Sequence, residues 1–138
     1  MTNAVYDRVA RQMLSAQFDW ANTDMFLVAW TGQPMFIPDD EKIVTMTARG
    51  GIIRGLSLPI NMKMMAETGI AQSDTVLIPN VGIGQPITYF TMHEEYAVFD
   101  DSPPVFYIDD SLDLPFQPNG LDIYVQPDWL RQRGWFRP

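Results

Sequence analysis

The sequence predicts a mainly β fold: an antiparallel β-sandwich or partly open barrel of about seven short strands, with one N-terminal α-helix packed on it. Three observations lead there. Short apolar bursts alternate with Gly, Pro, Asn and Asp punctuation, which is the grammar of a sandwich or barrel. The 11 prolines sit at the ends of those bursts, where a missing N–H does least damage to strand pairing. Only the first stretch of chain has a helical period. At 138 residues the chain fits one domain, 1–138. A domain of this size can bury about two thirds of its extended-chain surface.

The helix is expected at 4–17. Thr2 or Asn3 serves as N-cap and Asp7 complements the helix dipole in the first turn. Val5, Val9 and Met13 recur at one spacing, and Tyr6, Ala10 and Leu14 form the adjoining row, so a single apolar stripe faces a sheet. Phe18, Asp19 and Trp20 end it, followed by a turn at Ala21-Asn22-Thr23. Met25 to Trp30 is continuously apolar between Asp24 and Thr31-Gly32, as in a strand buried on both faces. Gly32 to Glu41 is a loop with an apolar knot, Met35-Phe36-Ile37, between prolines. Ile43 to Met46 reads as a short strand or a single helical turn, and Gly50-Gly51 breaks the chain again.

Short strands follow. Ile52 to Ile60 is one, bent near Gly55 and ended around Pro59, and Met62 to Ala66 offers another. A turn over Gly69 to Asp74 leads into Thr75 to Ile78, and a loop over Pro79 to Gly84 leads into Pro86 to Met92. Val105 to Ile108 and the alternating Leu121 to Val125 come next, with Gly134-Trp135-Phe136 as a last edge strand. The C-terminal stretch 127–138 is an aromatic and arginine tail.

Composition excludes several functions. With 17 acids against 9 bases the net charge is −8, and no basic run exists to attract phosphates, so nucleic acid is not an expected partner. Arg131, Arg133 and Arg137 interleave with Trp129, Trp135 and Phe136, a mixture that suits a protein interface. No apolar stretch is long enough to span a bilayer, and the opening MTNAVYDRVARQ lacks the apolar core of a signal peptide. There is no cysteine, hence no disulfide or thiolate chemistry.

Candidate chemistry is sparse. His93 is the only histidine, and on a strand its neighbour Glu94 points to the opposite face, so a triad does not converge there. It is expected to be an exposed loop or strand-end residue. One histidine without cysteine does not make a zinc site. Asp100, Asp101, Asp109, Asp110 and Asp113 gather oxygen ligands suited to calcium, yet lack the spacing of an EF-hand loop and read as a solvated edge. Gly82 and Gly84 lack the third glycine and the following helix of a phosphate loop, and form a turn. Met46, Met62, Met64 and Met65 read as core filling. The Met35-Phe36-Ile37 knot must either tuck inward or stand exposed as a contact. No catalytic, cofactor-binding or metal residue is assigned, and no enzyme is expected.

The run VYDRVARQMLSAQFDWANTDMFLVAW resembles the opening of a family of small tailed-bacteriophage virion structural proteins. So do Gly69 to Val76 (GIAQSDTV), GQPITYF from Gly84, Tyr107-Ile108-Asp109-Asp110, and LPFQPNGLDI from Leu114. The segment from Gly32 to Gly51 and the C-terminus depart from that pattern. The resemblance implies a β-rich, non-enzymatic virion protein, assembled in the host cytoplasm. As a capsid decoration or cement protein it would bind the major capsid protein lattice as a homo-oligomer. The alternatives are a tail, neck or baseplate component, or a sandwich module gripping glycans or a host surface through Trp129 and Trp135. The side chains expected to make contacts are Met35, Phe36, Ile37, Trp129, Arg131, Arg133, Trp135 and Phe136.

Overall fold

The computed structural model describes residues 3–65, 71–110 and 114–126. The architecture is mainly β and sandwich-like, as the sequence predicts. Its centre is a five-stranded antiparallel sheet in the order β1-β8-β7-β2-β3, built from Asn3–Val5, Pro104–Ile108, Tyr89–Glu94, Met25–Thr31 and Ile52–Leu56. Two small antiparallel pairs accompany it: β4 (Met64–Met65) with β5 (Ala71–Gln72), and β6 (Val76–Ile78) with β9 (Ile123–Val125).

The central strand β2 is buried along its whole length, which is why its sequence lacks alternation. Its residues still divide by face. Met25, Leu27 and Ala29 join one core with Phe90, Met92, Phe106 and Ile108. Phe26, Val28 and Trp30 join another with Tyr89 and Tyr107. The first face is covered by β6 and β9 through Val76, Ile78, Ile123 and Val125, and by Val9 of helix α1 (Asp7–Leu14). The second is covered by Tyr6, Phe36 and the short helix α2 (Ile43–Ala48), which buries Ile43 and Met46. The ambiguous Ile43–Met46 segment is therefore helical, with the two buried residues one turn apart.

Two sequence expectations at the N-terminus are corrected. The helix is Asp7–Leu14 rather than 4–17, and Tyr6 is its N-cap, not Thr2 or Asn3. Residues Asn3–Val5 pair with β8 instead, because the Asn3 side chain clamps the far end of that strand. Asn3 Oδ1 accepts from the N–H groups of Asp109 and Asp110 at 3.1 and 3.0 Å, and Nδ2 donates to the Asp110 carbonyl. The helix stops where Ala16 turns left-handed at φ 57°, and Leu14 is exposed. The bend foreseen near Gly55 is present as a register shift opposite Ala29 and Trp30. Gly55 is required there: a Cβ would stand 2.8 Å from Ile78, so the missing side chain lets β6 approach β3. The expected Gly134–Phe136 strand lies outside the described residues.

Candidate functional site

The segment between β7 and β8 has the sequence EYAVFD from Glu95 to Asp100, and every residue of it is exposed. Apolar side chains Tyr96, Val98 and Phe99 point to solvent, joined by Leu56 at the end of β3. Leu56, Tyr96 and Phe99, together with Phe26 and Pro59, border a groove of about 290 Å³. The loop has a fixed backbone. Asp101 N–H bonds the Val98 carbonyl at 3.0 Å and Ser102 N–H the Phe99 carbonyl at 3.0 Å. Glu95 N–H reaches the Asp24 carbonyl at 2.9 Å, and Tyr96 N–H the Ser102 hydroxyl at 3.2 Å. From α1, Arg8 donates to Glu94 and to the Tyr96 hydroxyl. Lys42, at the start of α2, lies 3.6 Å from Asp101.

Beneath the loop sits His93. Contrary to the exposed position expected from sequence, it is fully buried within β7, because that strand continues to Glu94 rather than stopping at Met92. Its ring stacks on Phe26 at 5.7 Å, and Phe26 also meets Phe99. Nδ1 lies 3.1 Å from the Ser102 carbonyl, and Nε2 lies 2.7 Å from Thr91 Oγ1. A carbonyl only accepts, so the proton sits on Nδ1 and Nε2 accepts from the Thr91 hydroxyl. That hydroxyl in turn accepts from Trp30 Nε1 at 2.7 Å. The chain of bonds is complete with a neutral imidazole. Burial holds the His93 pKa down to about 4, only partly opposed by the Ser102 carbonyl. Its ring nitrogens are both occupied, so the histidine anchors the loop and offers no free base.

A second polar group lies on the same face of the sheet. Asp40, almost fully buried, receives a bidentate pair of bonds from Arg49 at the end of α2, one of them 2.9 Å. Tyr6, Tyr89 and Tyr107 stand nearby. Burial raises the pKa of all three phenols, with Asp40 adding to the effect at Tyr6 and Tyr89 and Asp109 at Tyr107. Each therefore stays a neutral phenol. The Tyr107 hydroxyl donates to Asp109 at 2.9 Å, whereas the buried Tyr6 hydroxyl has no hydrogen-bond partner among the described residues.

The sequence-predicted contact residues divide. Met35 is exposed, Ile37 is half-buried, and Phe36 packs on Tyr6 and Tyr107 at 5.0 and 5.3 Å. The knot thus tucks its phenyl ring inward and leaves its methionine outside. Trp129, Arg131, Arg133, Trp135 and Phe136 lie outside the described residues, as does Asp113. Asp109 departs from the solvated edge expected of it, being buried beneath the Asn3 clamp. Among the described residues no group of three or more His, Asp or Glu side chains is placed to hold a metal ion. No helix among them is long and apolar enough to cross a membrane.

Sequence reasoning missed Tyr96, Val98, Phe99 and Leu56. A signal was present: YAVF is an apolar run that neither alternates nor finds a partner between two buried strands. No protein-family model, curated protein or solved structure matches this chain.

Proposed function

We propose that this chain is a non-enzymatic bacteriophage virion structural protein, specifically a capsid decoration protein that binds the major capsid protein lattice as a homo-oligomer. The observation that carries the reading is the Glu95–Asp100 loop, which holds exposed aromatic and aliphatic side chains on a backbone pinned by hydrogen bonds to Ser102, itself held by buried His93. Ordering a side chain on binding costs about 0.5–1.5 kcal/mol, so a contact surface gains affinity by being rigid beforehand. The virion setting comes from the sequence resemblance in the opening helix and strand and in the GQPITYF, YIDD and LPFQPNGLDI stretches. Binding at many identical positions adds avidity, so each contact can be modest. The net charge of −8 favours solubility of particles that carry many copies. His93, the only histidine, is consumed by structural bonds, which agrees with a role in contact rather than turnover.

The test is direct. Purified phage particles run on a denaturing gel should show a 15.8 kDa band at many copies per particle, retained with heads after tails are removed. Particles that lack the band defeat the reading, and a band that follows the tails moves the protein to the tail.

A further inference from the structure

We infer that the groove between the end of β3 and the Glu95–Asp100 loop receives the C-terminal segment 127–138 of a second copy of this chain. The inference deepens the homo-oligomer of the proposed function and rests on it. Phe26, Leu56, Pro59, Tyr96 and Phe99 supply the apolar part of the groove's surface, and Ser57 and Ser102 add polar atoms to it. Leu56, Tyr96 and Phe99 are exposed, on backbone that strand pairing and the His93–Ser102 bond hold in place. Its border is acidic. Glu95 lines it, Asp24 is tied to Glu95 through the backbone, and Asp100 follows Phe99. These three carboxylates are exposed and form no ion pair among the described residues.

An apolar floor with an acidic border fits a segment in which aromatic rings alternate with guanidinium groups, the pairing that dominates protein interfaces. Residues 127–138, PDWLRQRGWFRP, have that chemistry: Trp129, Trp135 and Phe136 for the floor, and Arg131, Arg133 and Arg137 for the border. The segment is +2 on its own against −8 for the whole chain, which leaves −10 on the rest. Two copies therefore attract through this pairing although their bodies repel. The occupant comes from a neighbour because β9, after which the segment begins, packs on the opposite face of the sheet. Ile123 and Val125 join the core of Leu27 and Ala29, whereas Phe26 and Leu56 belong to the other side. With both halves of the contact on one chain, two copies can exchange segments in a two-fold dimer, or copies can join head to tail and close into a ring where the rotation permits.

Sedimentation velocity of the full-length chain tests this. The wild type should self-associate with rising concentration, and less so at high salt. A groove variant, Leu56→Glu with Tyr96→Ala, and a segment variant, Arg131→Glu with Arg133→Glu and Trp135→Ala, should each associate about tenfold more weakly or worse. Mixed together they should form a one-to-one complex, because one supplies an intact segment and the other an intact groove. Should the groove variant lose its fold by circular dichroism, Glu95→Arg at an exposed position reads the same contact. A monomeric wild type overturns the inference, as do variants that associate like wild type or a mixture that stays apart. Particles that contain the chain while the mixture stays apart would remove this contact and leave the virion reading intact.

Discussion

Thr91 and Tyr6 are both hydroxyl-bearing residues on the same buried face, and their hydroxyls have opposite fates. Thr91 accepts from Trp30 and donates to His93, so its removal orphans a buried donor and a buried acceptor. Each such group costs about 1–3 kcal/mol. Thr91→Val should therefore lower stability by about 2–4 kcal/mol, read as a fall in the urea midpoint at unchanged slope. The Tyr6 hydroxyl has no partner among the described residues, and Asp40 and Arg49 nearby satisfy one another instead. Tyr6→Phe should accordingly leave stability unchanged or raise it by about 1 kcal/mol in the same measurement. A marked loss on Tyr6→Phe would mean that the hydroxyl is satisfied after all.

At the scale of elements, close approach decides what each segment tolerates. α2 returns toward β3 through Gly50 and Gly51, where Trp30 lies against the chain. A Cβ on Gly51 would sit 2.7 Å from the Trp30 ring and 2.9 Å from the Met46 carbonyl, neither of which can move aside cheaply. Gly51→Ala should cost about 1–3 kcal/mol of stability, measured by thermal or urea unfolding. Helix α1 gives the converse case. Val9 is fully buried, while Leu14 is 90% exposed although the sequence stripe includes both. Val9→Ala should cost about 1–3 kcal/mol and Leu14→Ser less than about 0.5 kcal/mol. Equal losses at the two positions would contradict this placement of the helix. The stripe itself was legible in the sequence; its limits were not, because Asn3 trades the helix for a clamp on Asp109 and Asp110, a contact across the whole chain.

The described residues are organised around one central sheet with a core on each face, so stability is a shared property and a single buried titration is felt globally. His93 has an ordinary pKa of 6.5 that falls to about 4 in the folded protein. The folded state then binds fewer protons than the unfolded state between those values. Stability should fall as pH drops from 6.5 toward 4, with no further loss from this group below about 4 and none above 6.5. At about 1.4 kcal/mol per unit, the part lost between pH 7 and pH 5 is about 2 kcal/mol. Urea midpoints of wild type and His93→Gln across that range should differ by a pH-dependent amount of this size. Parallel curves would show that the imidazole does not titrate with unfolding. The same titration places its proton on Nε2 and so breaks the bond accepted from Thr91, while Nδ1 goes on donating to the Ser102 carbonyl.

What the sequence determined by itself was the class of fold and most of its punctuation. The uninterrupted Met25–Trp30 run announced a strand covered on both sides, and the alternating Leu121–Val125 run a strand, which forms over Ile123–Val125 with Tyr124 exposed. Those signals are local, since burial on one face or two is written in the period of apolar residues. Tertiary structure alone decided which polar and apolar residues changed places. His93 went inside because Thr91 and Ser102 supply both bonds that a neutral ring needs, and Trp30, far away in sequence, holds the Thr91 hydroxyl in place. Tyr96 and Val98 stayed outside on a loop whose backbone hydrogen bonds fix it at the surface, while Phe99 rests partly exposed against Phe26. Satisfaction of buried polar groups depends on partners brought together only by folding, and no periodicity in the chain can register it.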